Sequence, residues 1–219
     1  MDNQTTTCPN WPKLLKGGIV VIDPETSNVR RIIPLQYNPD TISRTLQVQG
    51  AGEEAGARSQ PLRLKGPPTE TIKLDAEIDA TDQLEPRDKY PETKENGILP
   101  QLAVLETLIY PTTAELQANN QLAQVGTLEI IPMEAPLTLF VWGKNRVVPV
   151  RITELSVTEE AFDPRLNPIR AKVSLGLRVL SVSDVGFSHP GAVKYLAYQE
   201  RKEFLASLCK AGTKGQVGM

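Results

Sequence analysis

Histidine is almost missing from this chain. His189 is the only one, and cysteine occurs twice, as Cys8 and Cys209, in 219 residues. A structural zinc site gathers four soft or borderline ligands, so this supply excludes the usual forms of one. Two cysteines near opposite ends make no disulfide framework. Whether Cys8 and Cys209 pair is left open; the plainer reading is two reduced thiols in a cytosolic protein. Aromatic residues make up only 5% of the chain, and Trp11 and Trp142 stand too far apart to suggest a stacking platform. No window approaches eighteen apolar residues, so no membrane-spanning helix is expected. The first residues, MDNQTTTCPNWPK, have no charged region followed by an apolar core, so a secretory signal is not expected either.

Charge of one sign is also lacking. Lys and Arg number 24 against 26 Asp and Glu, a formal net charge of −2. Nucleic-acid binding needs a concentrated basic face, and basic clusters such as Arg30-Arg31 and Arg63 with Lys65 have acids close by in sequence. Neither nucleic acid nor direct membrane insertion is therefore expected. No phosphate-cradling glycine loop and no nucleophile elbow occurs. His189 precedes a proline at the start of a predicted helix, which favours a structural or capping role over a base without a nucleophile. Carboxylates do cluster at Glu53-Glu54, at Glu159-Glu160, and at Asp75 with Glu77 and Asp79. The last three share one face of a strand, as a solvated face, a cation site or a polar wall would. No catalytic residue, metal or cofactor is expected, and the chain is not expected to be an enzyme.

What is present is β patterning. Gly18–Asp23 and Arg30–Gln36 read as an opening hairpin around the turn Asp23-Pro24-Glu25-Thr26. Ser43–Gln49 alternates, with Leu46 and Val48 on one face. Glu70–Asp79 alternates most clearly: Ile72, Leu74, Ala76 and Ile78 point one way, and Lys73, Asp75, Glu77 and Asp79 the other. Such period-two patterning implies one buried and one wet face. Pro136–Trp142, Arg146–Glu159 and Ile169–Val182 are three further strands. Pro149 suggests a bulge or an edge position in the second; Gly176 suggests the same, or a close backbone approach, in the third. Gly50–Gly66 and Ala80–Gly97 read as loops.

Helical spacing appears over Ile98–Tyr110, where Ile98, Leu102, Leu105 and Ile109 recur and Pro111 stops the run. A short helix over Thr112–Asn120, capped by Thr113, and a C-terminal helix over Pro190–Lys210 follow. The expected organisation is an arm over 1–16, a β domain over 17–183, and a helix with a flexible tail over 184–219.

Four segments carry a resemblance: YNPDTISRTLQVQG (37–50), GPPTETIKLDAEIDATD (66–82), LPQLAVLETLIYP (99–111) and FVWGKNRVVPVRITELSVTEEAFDPRLNPIRAKVSLGLRVLS (140–181). The last has an aromatic-Trp-Gly strand, a strand ending Phe-Asp-Pro, and Pro-Ile-Arg-Ala opening the next. In this order the segments resemble the tube-forming and tube-adaptor proteins of bacterial contractile injection systems and related phage tails. The resemblance implies a mainly β fold with α: an antiparallel β-sandwich or barrel of the tail-tube type, with one flanking helix and a C-terminal helix. It implies a hexameric inner-tube adaptor or initiator ring joining a spike hub or baseplate to the inner tube. Partners would be further copies of the chain, the spike hub protein, the inner tube protein, a neighbouring adaptor ring and baseplate proteins. The chain would assemble in the bacterial cytoplasm and then be part of the particle. No counterpart is found of the peptidoglycan-binding LysM module that several relatives carry.

Two sets of residues become candidates. Lys73, Asp75, Glu77 and Asp79, or the equivalent row Arg170, Lys172, Ser174 and Arg178, would face a lumen. The turn Phe162, Asp163, Pro164, Arg165, Asn167, Pro168 and Arg170 would either meet carboxylates of a neighbouring subunit or lock its own hairpin. The competing expectations are a monomeric β-sandwich module binding carbohydrate or protein, and a hydrolase with scattered acids.

Overall fold

A computed structural model of the chain describes residues 15–23, 26–50, 63–84, 90–124 and 135–209. Seven strands follow one another in these residues: β1 (Gly18–Ile22), β2 (Val29–Pro34), β3 (Ile42–Gln47), β4 (Thr69–Asp79), β5 (Leu137–Val141), β6 (Val147–Phe162) and β7 (Pro168–Val179). Six helices accompany them: α1 (Thr81–Leu84), α2 (Pro91–Asn96), α3 (Leu99–Glu106), α4 (Thr113–Gln124), α5 (Val182–Val185) and α6 (Pro190–Ser207). The fold is mainly β with α, as the pattern implies. All seven strands form one antiparallel sheet in the order β2-β1-β5-β6-β7-β4-β3. It stays open, with β2 and β3 as its edges, and does not close into a barrel.

The sheet is curled, and the segment joining β2 to β3 shows it. Leu35 N donates to Gly17 O at 2.9 Å, beside β1. Its neighbour Gln36 reaches the far end of β4: its Nε2 donates to Asp79 O at 2.5 Å and its Oε1 accepts from Asp79 N at 2.9 Å. β1 and β4 lie four places apart in the sheet, about 19 Å if it were flat at 4.8 Å per strand. Two adjacent residues cannot span that distance, so the strands bend toward one another.

The curl holds the main core. Every second residue of β7 (Ala171, Val173, Leu175, Leu177, Val179) is buried, as are Ile72, Leu74 and Ala76 of β4. α3 adds Leu102 and Leu105, and α6 adds Tyr195 and Tyr198. Full burial of one such apolar side chain contributes roughly 1.5–3 kcal/mol, which makes this layer the main source of stability. On the opposite face of β1 and β5 lies a smaller cluster of Ile22, Leu137 and Leu139.

Several expectations need correction. Ala80–Gly97 is not simply a loop: α1 and α2 form within it, with Pro91 preset for the first turn of α2. α3 is shorter than the spacing suggests, ending at Glu106 and leaving Ile109 in the following turn. α4 runs on to Gln124, and its capping residue is Thr112 rather than Thr113: Thr112 N donates to Glu115 Oε2 at 2.8 Å, and Glu115 N donates to Thr112 Oγ1 at 3.3 Å.

Pro149 marks neither an edge nor a bulge. It pairs with Leu139 in an interior strand. Its carbonyl accepts from Leu180 N at 2.9 Å, so its missing N–H lies on the β7 side, where the β6–β7 ladder ends at Val150–Val179. Gly176 does mark a close approach. It faces Glu154 beside a β6 bulge, and a Cβ there would sit 2.9 Å from Glu154 Cβ. His189 caps α6, its Nδ1 accepting from Gly191 N at 3.0 Å. Cys209 is exposed. Cys8 and Trp11, the 1–14 part of the arm, residues 24–25 of the first turn, residues 51–62 and the 210–219 tail lie outside the described residues.

Candidate functional site

Among the described residues, no three His, Cys, Asp or Glu side chains gather to hold a metal. No helix there is long and apolar enough to cross a membrane. The polar chemistry lies instead on the outer face of the sheet, at the β6–β7 tip, and under α6.

The outer face follows from register. Lys73, Asp75, Glu77 and Asp79 of β4 stand opposite Gly176, Ser174, Lys172 and Arg170 of β7, which in turn face Glu154, Ser156, Thr158 and Glu160 of β6. One residue alternation thus builds a polar surface three strands wide. Charges pair across it: Arg170 Nε lies 2.8 Å from Asp79 Oδ2, Lys172 Nζ 3.0 Å from Glu160 Oε1, and Lys73 Nζ 3.5 Å from Glu154 Oε2. Ser174 Oγ donates to Asp75 Oδ1 at 2.6 Å. Arg178 Nη2 turns instead to Asp184 Oδ1 of α5, 2.6 Å away. Exposed pairs of this kind contribute little stability, but they leave the face hydrated and close to neutral. The Asp79 carboxyl is held below the ordinary range, first by the Thr81 hydroxyl and then by Thr81 N and Arg170, against some desolvation. The Arg170 guanidinium is raised, chiefly by its hydrogen bond to Asp79. The outward row and its β7 counterpart therefore form a single surface.

The predicted turn residues also come together. Asp163 Oδ1 accepts from Arg165 N and Asn167 N, both at 2.8 Å, and Oδ2 accepts from Asn167 Nδ2 at 3.0 Å. Asp163 N donates to Asn167 O at 2.9 Å and closes the loop. Burial works to raise the Asp163 carboxyl, but these hydrogen bonds outweigh it and hold it low. The turn also docks on the α2–α3 junction. Asn167 Nδ2 donates to Glu95 O at 2.9 Å, and Ile98 N donates to Pro168 O at 2.9 Å. Gly97, at φ +59°, makes room: a Cβ there would lie 2.3 Å from Pro168 O. Arg170 is engaged by Asp79 within its own chain. Leu166, by contrast, sits at φ +66° and is 80% exposed. A bulky non-glycine residue in that region costs roughly 1–3 kcal/mol.

A third cluster escaped the sequence reading. Glu70 is only 3% exposed. Its Oε1 accepts from Arg44 Nε at 2.8 Å and from Tyr198 Oη at 3.1 Å, and its Oε2 lies 3.4 Å from Lys202 Nζ. Arg44 Nη2 also donates to Tyr198 Oη at 3.0 Å. One carboxylate thus ties the edge strand β3 to α6. Desolvation, with Glu70 nearby, raises the Tyr198 hydroxyl. The available signal was phase: Glu70 shares the buried alternation of Ile72, Leu74 and Ala76.

Such surfaces can hydrate, pair edges and lock loops, but they offer no activated nucleophile. A family model described as contractile injection system tube protein matches residues 16–181, well over half the chain. No curated protein matches it.

Proposed function

The chain belongs to the contractile injection system tube protein family, and we propose that it forms a hexameric adaptor or initiator ring joining the spike hub or baseplate to the inner tube. It works as a structural part, without catalysis. The observation that carries this reading is the combination of two sheet edges, β2 and β3, left unpaired among the described residues, with an outer face of cross-paired charges. An open edge presents unpaired backbone groups that a second strand can satisfy, and repeating that contact about a symmetry axis closes a ring. The face bearing Lys73, Asp75, Glu77 and Asp79, together with Arg170, Lys172, Ser174 and Arg178, then lines the passage, while the opposite face keeps its apolar residues against α3 and α6. The turn from Phe162 to Arg170 takes part in contacts between subunits while remaining locked to its own α2–α3 junction.

In this role the partners are further copies of the chain, the spike hub, the inner tube protein, a neighbouring adaptor ring and the baseplate. The β domain over 17–183 builds the ring, the arm over 1–16 serves docking, and within 184–219 the helix α6 packs on its own sheet. Assembly takes place in the bacterial cytoplasm before the particle is complete.

Electron microscopy of purified particles with this chain tagged tests the reading. A six-fold ring at the tube end, with the β4 outer row on the pore wall, is expected. A monomer that never joins tube ends overturns it and leaves the ligand-binding β module standing. Burial of both outer rows inside the subunit contacts removes the lumen assignment alone.

A further inference from the structure

The β6–β7 tip carries two apolar side chains that the described residues leave uncovered. Leu166 is 80% exposed and Phe162 51%. The backbone beneath them is fixed by the hydrogen bonds to Asp163. Glycine or asparagine would adopt the Leu166 conformation more readily, and no intramolecular packing rewards the leucine.

Past the other end of α3 lies a groove of about 370 Å³, with Leu108, Ile109, Ile152 and Leu180 as apolar wall and Thr138, Arg151 and His189 as polar wall. The tip meets the start of α3, where Ile98 N donates to Pro168 O. From Leu99 to Glu106 the helix rises about 1.5 Å per residue, roughly 11 Å in all. Prong and groove are therefore displaced along one element, and a rigid tip cannot turn back to fill a groove beyond its far end. Two copies placed head to tail can join them. Charge agrees with that arrangement. Arg165 on the prong lies in the field of Asp163, yet neither it nor the exposed Glu106 at the end of α3 takes part in the ion pairs found among the described residues. The groove wall also carries Arg151, which shares the field of Asp184 with Arg178.

We propose that the Phe162–Leu166 prong of one copy seats in the Leu108–Ile109 groove of a second copy, with Arg165 facing Glu106. The inference rests on the assembly reading above and names its contact. A head-to-tail contact of this kind is heterologous, and it propagates until the rotation closes.

The test uses the full chain with Cys8 and Cys209 replaced by serine, assembled on tube ends or in particles. Leu166→Cys combined with Ile109→Cys should give intermolecular disulfides on mild oxidation, and neither single variant should. Leu166→Glu should melt like the parent, because the side chain is exposed, yet assemble at least tenfold less; adding Ile109→Lys should restore assembly. Rings that form normally with Leu166→Glu and give no crosslink overturn the prong contact and leave the ring reading intact. A crosslink formed within one copy also overturns it. A parent chain that assembles on no template overturns both.

Discussion

The two faces of β4 are built from alternate residues of one strand, yet they do different work. Ile72, Leu74 and Ala76 are buried against the helices. Lys73, Asp75 and Glu77 stand in water opposite Gly176, Ser174 and Lys172. The inner face secures the fold through area removed from water. The outer face secures little and keeps charge and water on the surface. Fold stability and surface chemistry are therefore separable by residue parity, which substitutions can test.

The largest effect belongs to the inner face. Ile72→Ala removes a fully buried side chain and should destabilise by about 2–5 kcal/mol in denaturant unfolding; a cost under about 1 kcal/mol would mean that this face is not the core. Next comes Gly97→Ala, which sets a Cβ 2.3 Å from Pro168 O at a positive φ. It should cost roughly 1–3 kcal/mol, with hydrogen exchange rising first at the β6–β7 tip. Uniform exchange across the sheet would show that the tip is not a separate unit.

Acid should weaken the outer region before the core. Asp79, Asp163 and Asp184 are all held below the ordinary carboxylate range in the folded chain. A depressed folded value stabilises fully above the unfolded value, about 3.9, and that contribution fades as pH falls through the folded value. Stability should therefore decline below about pH 4, and Asp163→Asn should flatten that decline. The smallest effect is expected for Asp75→Asn, within about 0.5 kcal/mol. Its consequence should appear in assembled rings; a large loss of monomer stability would erase the contrast between the faces.

How much of this was legible in the sequence depended on range. The β4 alternation, the β6–β7 hairpin and the close approach at Gly176 are signals within one or two strands, and the structure repeats them. The capping role of His189 was equally local. Closure is not local. Nothing within Leu35–Gln36 states that Gln36 will bond Asp79, so whether the sheet stayed open or became a barrel could not be read. Helix ends failed for a similar reason: Ile109 keeps helical spacing with Leu105, but the turn after Glu106 breaks the ladder first. Pro149 misled because a rule about donors in interior strands bends where a neighbouring strand stops. Glu70 was readable in phase, but its partners on β3 and α6 were not.

The strand order also sets a timetable. β5, β6 and β7 occupy the middle of the sheet, yet they are the last strands in the chain. β1 has no partner but β2 until β5 exists, and β4 none but β3 until β7 exists. A chain emerging from the ribosome leaves the β1–β2 pair unjoined until about residue 141 is free, and the β3–β4 pair until about residue 179, because long-range pairing waits on loop closure. Curvature, and with it the geometry of both outer edges, arrives only once β7 is free. Edge-to-edge contacts between copies would thus wait until β7 has emerged. Pulse-labelled exchange during refolding should show β6 and β7 protected before β1; the reverse order would remove that delay.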